Sequence, residues 1–148
     1  MRISHPALDY FITTNQDWLD QLFICDYLHN TSYWAKGRPY DVIQKSIHNS
    51  LSFGLFKGSP SNEKQIGFAR LVTDQATFAY LADVFVVEGE RGRGLGKWMV
   101  EVVLSHPAVS DIKRVMLATN DAHDLYAQFG FTSLQTPEKM MELKRQRP

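Results

Sequence analysis

Hydrophobic and polar positions change period several times along the chain, and each change marks an element. Residues 8–14 form a short apolar run that reads as a strand. Asn15 can then cap a helix over 16–29, in which Trp18, Leu19, Leu22, Phe23 and Tyr27 recur on one side. The segment Asn30-Thr-Ser-Tyr-Trp-Ala-Lys-Gly-Arg38 follows as a loop. Pro39 at a first helical position opens a second helix to about Asn49, with Val42, Ile43 and Ile47 inward. Strands over 51–56 and 64–72 flank the turn-rich Lys57-Gly-Ser-Pro-Ser-Asn62 and predict a hairpin.

Beyond a tight turn near Asp74-Gln75, residues 76–87 run for twelve positions with one charge, which predicts a central strand covered on both faces. Leu95, Trp98, Met99, Val102 and Val103 then fall at i, i+3, i+4, i+7 and i+8, the stripe of an amphipathic helix that Pro107 ends. A strand over 113–119 follows. Asp121, with Asp124 three residues later, gives a capping arrangement for a short helix through Phe129, and Gly130 stops it. Residues 131–134 and 139–143 supply two closing strands, and 144–148 read as a frayed tail. The order predicts an α/β fold of the α+β mixed-sheet kind, with about four helices on both faces of the sheet, in a single domain over 1–148.

Composition narrows the function classes. With 148 residues, 44% apolar and 22% charged, the chain can bury a core of ordinary size. Sixteen basic and sixteen acidic side chains cancel, so no global field favours nucleic acid or an anionic membrane, and neither is expected as a partner. No signal-peptide pattern opens the chain and no run of about 18 apolar residues interrupts it, which makes a cytoplasmic location the expectation. Cys25 stands alone, excluding an internal disulfide, and its apolar helical surroundings make it a core residue. The five histidines show no metal-ligand spacing, and no metal is assigned.

The densest chemistry lies in Val84-Phe-Val-Val-Glu-Gly-Glu-Arg91-Gly-Arg-Gly-Leu-Gly96-Lys97. A β-type run ends in a turn with glycines and cations, and a helix starts at once. Glycines let a ligand approach the backbone, and the free N–H groups of a helix's first turn favour an anion such as a phosphate. The spacing fits neither a P-loop nor a dinucleotide fingerprint. Arg91-x-x-Gly94-x-Gly96 instead resembles the acetyl-coenzyme A pyrophosphate loop of the Gcn5-related N-acetyltransferase (GNAT) superfamily. A second stretch, Asn120-Asp-Ala-His-Asp-Leu-Tyr126-Ala-Gln-Phe129-Gly130-Phe131, is similar to the Leu-Tyr-x-x-x-Gly-Phe element of the same superfamily's penultimate helix.

The resemblance implies roles residue by residue. Backbone groups of Val84, Phe85 and Val86, where the central strand should splay from its neighbour, would hydrogen-bond the pantetheine arm as an added strand would. Gly92, Arg93, Gly94, Leu95, Gly96 and Lys97 would hold the pyrophosphate, with Arg91 a further phosphate partner. Tyr126 matches the usual general acid, protonating the departing thiolate. Asn120 resembles the asparagine that contacts coenzyme A, standing six residues before the tyrosine where the family pattern gives seven. The implied activity is direct transfer of an acetyl group from acetyl-coenzyme A to a primary amine of a small molecule or peptide, by a monomer or homodimer.

Several residues carry two readings. Near pH 7 only about one lysine-like amine in two thousand is neutral, so a base is worth seeking. Asp83, the sole charge between Asp74 and Glu88, either faces the acceptor and takes its proton or is a structural carboxylate held by Arg70 or by backbone N–H groups. Tyr126 could be an ordinary core aromatic, and Arg91, Arg93 and Lys97 solvated charges. Tyr33 and Trp34 of the interhelical loop, with Phe78 and Tyr80 upstream on the central strand, either line an acceptor pocket or pack over the sheet. A non-catalytic acyl-coenzyme A binding module is the alternative function, and a nucleic-acid binder using Gly92-Arg93-Gly94 is disfavoured by the neutral charge.

Overall fold

The computed structural model describes residues 2–58 and 62–146. Ser59, Pro60 and Ser61 of the expected hairpin turn, and Arg147 and Pro148 of the expected tail, lie outside the described residues. One compact unit spans Met1–Ala118 and another spans Thr119–Pro148.

The first unit is built on a six-stranded sheet whose spatial order follows the chain: β1 (Arg2–Ser4), β2 (Tyr10–Thr13), β3 (Leu51–Lys57), β4 (Lys64–Thr73), β5 (Ala79–Val86) and β6 (Val115–Leu117). Neighbours pair antiparallel except β5 and β6, which are parallel, so the sheet is mixed as expected. Helices α1 (Gln21–Asp26) and α2 (Tyr40–His48) precede β3, and α3 (Leu95–Ser105) links β5 to β6. Strand β1 has no counterpart in the sequence reading.

Alternation along the strands assigns the two faces. Ile24, Cys25, Leu28, Ile43 and Ile47 form one core with Phe68 of β4 and Phe85 of β5. Fully burying an isoleucine contributes about 1.5–3 kcal/mol, and both isoleucines of α2 are completely buried. Cys25 lies within this core, and burial raises its thiol pKa. On the opposite face Phe53 meets His106, the residue that ends α3, edge-on at 5.6 Å. Leu95, Met99, Val102 and Val103 of α3 are buried as their stripe predicts, whereas Trp98 is half-buried against the His5 ring.

The helix expected over 16–29 is broken. Asn15 caps only the 3-10 turn Gln16–Trp18, Leu19 is extended at ψ 132°, and the Asp20 carboxylate accepts the Phe23 N–H at 3.1 Å to start α1 afresh. A π-turn over Tyr27–Thr31 then widens its end. The apolar period runs across these breaks, so Trp18 (43% exposed) and Leu22 (65%) point to solvent instead of the core. Strand β5 also departs from expectation: its inward positions are buried, but Tyr80, and Phe78 just before the strand, are exposed. A long apolar run signals burial on both faces only when its aromatics are buried, and these two are not.

In the second unit α4 (His123–Ala127) forms, and Gly130 at φ 95° ends the turn after it. Asp121 does not cap it; the N–H groups of Asp121 and Ala122 instead donate to Thr119 Oγ1. The closing strands expected over 131–134 and 139–143 do not form. A 3-10 turn occupies Pro137–Lys139, and Met141 and Leu143 are 96% and 75% exposed, so these two side chains gain little burial to offset the entropy of ordering a strand.

Candidate active site

The site is built where β5 loses its neighbour. Pairing with β6 covers only Ala79, Tyr80 and Leu81, leaving residues 82–86 without a strand partner on that side among the described residues. On the other side a bulge intervenes: Phe68 opposes Phe85 and Arg70 opposes Ala82, so the single residue Ala69 faces both Asp83 and Val84. Asp83 absorbs the extra residue in the left-handed region at φ 55°, a conformation aspartate tolerates better than most side chains. The Val87 N–H donates to the Ile66 carbonyl at 2.9 Å. Alternation therefore turns the peptide groups of Val86 and Val84 toward the open side and those of Phe85 toward β4. The splay expected here is present; of the three residues named for it, Val84 and Val86 supply the edge, and Phe85 anchors the strand by stacking its ring on Tyr27 at 3.8 Å.

The glycine loop follows directly. Gly92 and Gly94 take φ of 85° and 74°, and a Cβ at Gly92, Gly94 or Gly96 would meet nothing within 4 Å. The backbone thus lies open to an approaching group. Gly94 is the N-cap of α3, and the first helical bond runs from the Trp98 N–H to the Gly94 carbonyl at 3.0 Å. The Leu95, Gly96 and Lys97 N–H groups ahead of it have no intrahelical acceptor. The Lys97 side chain is exposed and carries no ion pair or hydrogen bond among the described residues.

The loop's arginines are tied to the protein. Arg91 Nε donates to the Val86 carbonyl at 3.0 Å and its Nη2 to the Tyr27 hydroxyl, so one acceptor of the open edge is already taken. Arg93 Nη1 donates to the Tyr10 hydroxyl at 2.6 Å and to Glu90 at 2.8 Å. Glu90 also accepts from Tyr10 (2.8 Å) and Lys57 (2.9 Å), whose hydrogen bonds hold its carboxyl below the usual carboxylate range. Tyr10 and Lys57 are register partners on β2 and β3, so this cluster pins the loop to the sheet. Nothing in the spacing of Tyr10, Lys57 and Glu90 marks it in the sequence.

Asp83 sits in a second cluster. Its side chain is 2% exposed, Oδ2 accepts from Arg70 Nε (2.9 Å) and Arg38 Nη1 (3.1 Å), and Oδ1 accepts from Trp34 Nε1 (2.8 Å) and Arg38 Nη1 (3.3 Å). This is the geometry of the structural carboxylate, with Arg70 as anticipated and Arg38 and Trp34 added from the interhelical loop. Trp34 is half-exposed and meets Tyr33 edge-on at 5.1 Å. Tyr80 is exposed and lies opposite the exposed Val72 on β4. In the other unit, Tyr126 is buried, with Phe131 edge-on at 5.8 Å, and Asn120 lies three residues before α4.

A family model described as "Acetyltransferase (GNAT) family" matches residues 12–131, most of the chain and all the motifs above. The chain belongs to this GNAT acetyltransferase family. A crystal structure from Xanthomonas campestris pv. campestris, of a protein placed in the GNAT family, superposes with a TM-score of 0.86 at 38% identity, covering 97% of this chain and 95% of that one. A GNAT family protein from Streptococcus pneumoniae shares the fold at TM-score 0.66 and 18% identity, with complete coverage of both chains. Among curated relatives, an uncharacterized N-acetyltransferase from Prochlorococcus marinus is 34% identical over 67% of this chain and 56% of its own. A histone acetyltransferase from Glycine max is 32% identical over 66% of this chain and 46% of its own. The chain thus spans about half the length of these two curated relatives. Among the described residues no helix is long and apolar enough to cross a membrane, and no group of three or more His, Cys, Asp or Glu is placed to hold a metal ion.

Proposed function

We propose that this GNAT family member transfers an acetyl group from acetyl-coenzyme A directly to a primary amine of a small molecule or peptide. One observation carries the reading. The unpaired edge of β5 at Val84 and Val86 leads within a few residues into the open glycine loop and the start of α3, where Gly94 offers no side-chain cap. Such an edge accepts an extended arm by strand-like hydrogen bonds, and such a loop accepts a pyrophosphate at the arm's end. The donor supplies an activated acetyl thioester. Val84 and Val86 would hold its pantetheine, Gly92 to Lys97 its phosphates, and Asn120 would add a further contact.

The chemistry asks for three things of the chain. The amine must be neutral to attack, the oxyanion needs a donor, and the leaving thiolate needs a proton. The new bond joins the amine nitrogen to the acetyl carbon as the carbon–sulfur bond breaks. The Val84 N–H on the open edge is suited to the oxyanion. Tyr126 gives its phenolic proton to the thiolate, a group of comparable basicity, while the nitrogen loses a proton to water. Asp83, with each oxygen taking two donors, orders the site and is not the base in this scheme.

Thiol release with acetyl-coenzyme A and a panel of amines tests the activity. Tyr126→Phe should lower kcat by about 10²–10⁴-fold and leave coenzyme A affinity within a few-fold, as measured calorimetrically. Unchanged turnover in that variant removes Tyr126 from the mechanism. Coenzyme A binding without thiol release from any amine makes the chain a binding module.

A further inference from the structure

The Asp83 cluster contains two guanidinium groups and one carboxylate, +2 and −1, a net charge of +1 in a largely buried place. Not all of the cationic capacity is used. Arg38 binds Asp83 through Nη1 alone, and Arg70 commits Nε to Asp83 and Nη1 to Ser50 Oγ at 3.2 Å. The Nη2 of each and the Nε of Arg38 have no hydrogen bond among the described residues. The one buried side-chain polar atom without a partner among those residues is Gln16 Oε1, so the spare arginine nitrogens reach water. The Arg38 side chain is 23% exposed and Arg70 13%, so Arg38 presents the outer face.

Position gives this surplus a meaning. Asp83 is the residue immediately before Val84, where the open edge begins. Trp34, fixed by its indole N–H on Asp83, presents a half-exposed ring beside Arg38, with Tyr33 edge-on to it. Arg70 and Ala82 share a sheet face with the exposed pair Val72 and Tyr80 two residues along. The surroundings of the attacking amine therefore combine unspent positive charge with an apolar rim. A polyamine or a lysine-rich peptide brings further cations to a site that is already cationic. An acceptor with its own carboxylate completes the charge balance and fits a planar donor fork. The same positive charge favours the neutral form of the amine beside it.

We infer that the acceptor is an α-amino acid, its carboxylate on the free donors of Arg38 and an apolar side chain against Trp34 and Tyr33. Asp83 is then a positioning residue that aims both arginines, and Arg38 sets acceptor specificity. The inference rests on the acetyltransferase reading and deepens it.

The experiment compares matched acceptors, phenylalanine with phenethylamine and leucine with isoamylamine, with spermidine added, in the thiol-release assay on the whole chain. The expected result is a kcat/KM for each amino acid at least about 10-fold above that of its decarboxylated partner, with spermidine poorest. In Arg38→Met this acid-to-amine ratio should collapse toward one through a rise in KM for the acid, and Arg38→Lys should restore part of it. Decarboxylated amines that match or exceed the acids overturn the inference and leave the activity standing. So does a ratio that persists in both variants while turnover of acid and amine falls together, the mark of a merely structural Arg38. If no amine releases thiol, the activity itself fails and calorimetry in the presence of coenzyme A decides the site. Saturable binding of phenylalanine but not phenethylamine, lost in Arg38→Met, supports it, and any other pattern overturns it.

Discussion

Two carboxylates flank the open edge of β5, and each is held by two cations and one neutral donor. Asp83 at the start has Arg38, Arg70 and the Trp34 indole; Glu90 past the end has Lys57, Arg93 and the Tyr10 hydroxyl. Burial separates them. The partners of Asp83 are 23% and 13% exposed, and those of Glu90 are 49% and 45% exposed. A buried pair is expensive to break because the surviving charges have lost their water, whereas exposed pairs are screened and contribute little. The inner cluster fixes geometry at a higher cost of breaking, and the outer one pins its loop with contacts that salt can weaken.

Removing each carboxylate is the sharpest way to break this contrast. Asp83→Ala leaves two confined guanidinium groups facing each other and should cost about 3–5 kcal/mol, a fall in Tm of roughly 10 °C for a chain of this size. Glu90→Ala should lower Tm far less, and by an amount that shrinks in 1 M salt, where the Debye length is about 3 Å. Equal losses in the two variants would show that burial is not what distinguishes them. The milder Asp83→Asn should depress kcat/KM by the same factor at pH 7 and pH 9.5. A defect that fades at high pH, where free amine is abundant, would return the base role to Asp83.

On the donor side the expected effect falls on binding. Glu90→Gln weakens the anchor between the loop and Tyr10 and Lys57, so KM for acetyl-coenzyme A should rise several-fold with kcat little changed. The same variant gives a pH signature. Hydrogen bonds from Lys57 and Tyr10 depress the folded-state pKa of Glu90 below its unfolded value. Its contribution to stability is therefore complete above the unfolded pKa, about 4.3, and is lost as pH falls through the lower folded value. The Tm difference between parent and Glu90→Gln should be constant from pH 7 to 5 and close at more acidic pH. A gap that persists at pH 2 would mean that shape, not charge, holds Glu90.

How much of this was legible in the sequence follows from the range of each interaction. The end of β5, the glycine loop and α3 are contiguous, and local spacing placed them correctly. The isolation of Asp83 in an apolar run announced that something must compensate it, and Arg70 was within reach on the preceding strand. The contacts of Arg38 and Trp34 with Asp83 could not be read, because they span 45 and 49 residues and depend on a bulge that no pattern marks. The Glu90 cluster is hidden for the same reason, with Tyr10 80 residues away. The broken helix after Asn15 shows the converse failure, in which periodicity continued where the backbone did not.

The smallest expected change in stability gives the cleanest test of what the loop is for. Gly96 lies in the first turn of α3 without the positive φ of Gly92 and Gly94, and a Cβ there would touch no atom within 4 Å. Folding alone therefore has no use for glycine at this position, and alanine should stabilise the helix by up to about 1 kcal/mol. A phosphate seated on the Leu95, Gly96 and Lys97 N–H groups would meet that methyl directly. Gly96→Ala should thus raise Tm slightly while weakening coenzyme A binding about 10-fold or more. Dephospho-coenzyme A, which keeps the pyrophosphate and lacks only the ribose phosphate, should lose affinity to the same extent. If Gly96→Ala binds coenzyme A as tightly as the parent, the pyrophosphate does not sit on the start of α3, and the open backbone there must be assigned to something else.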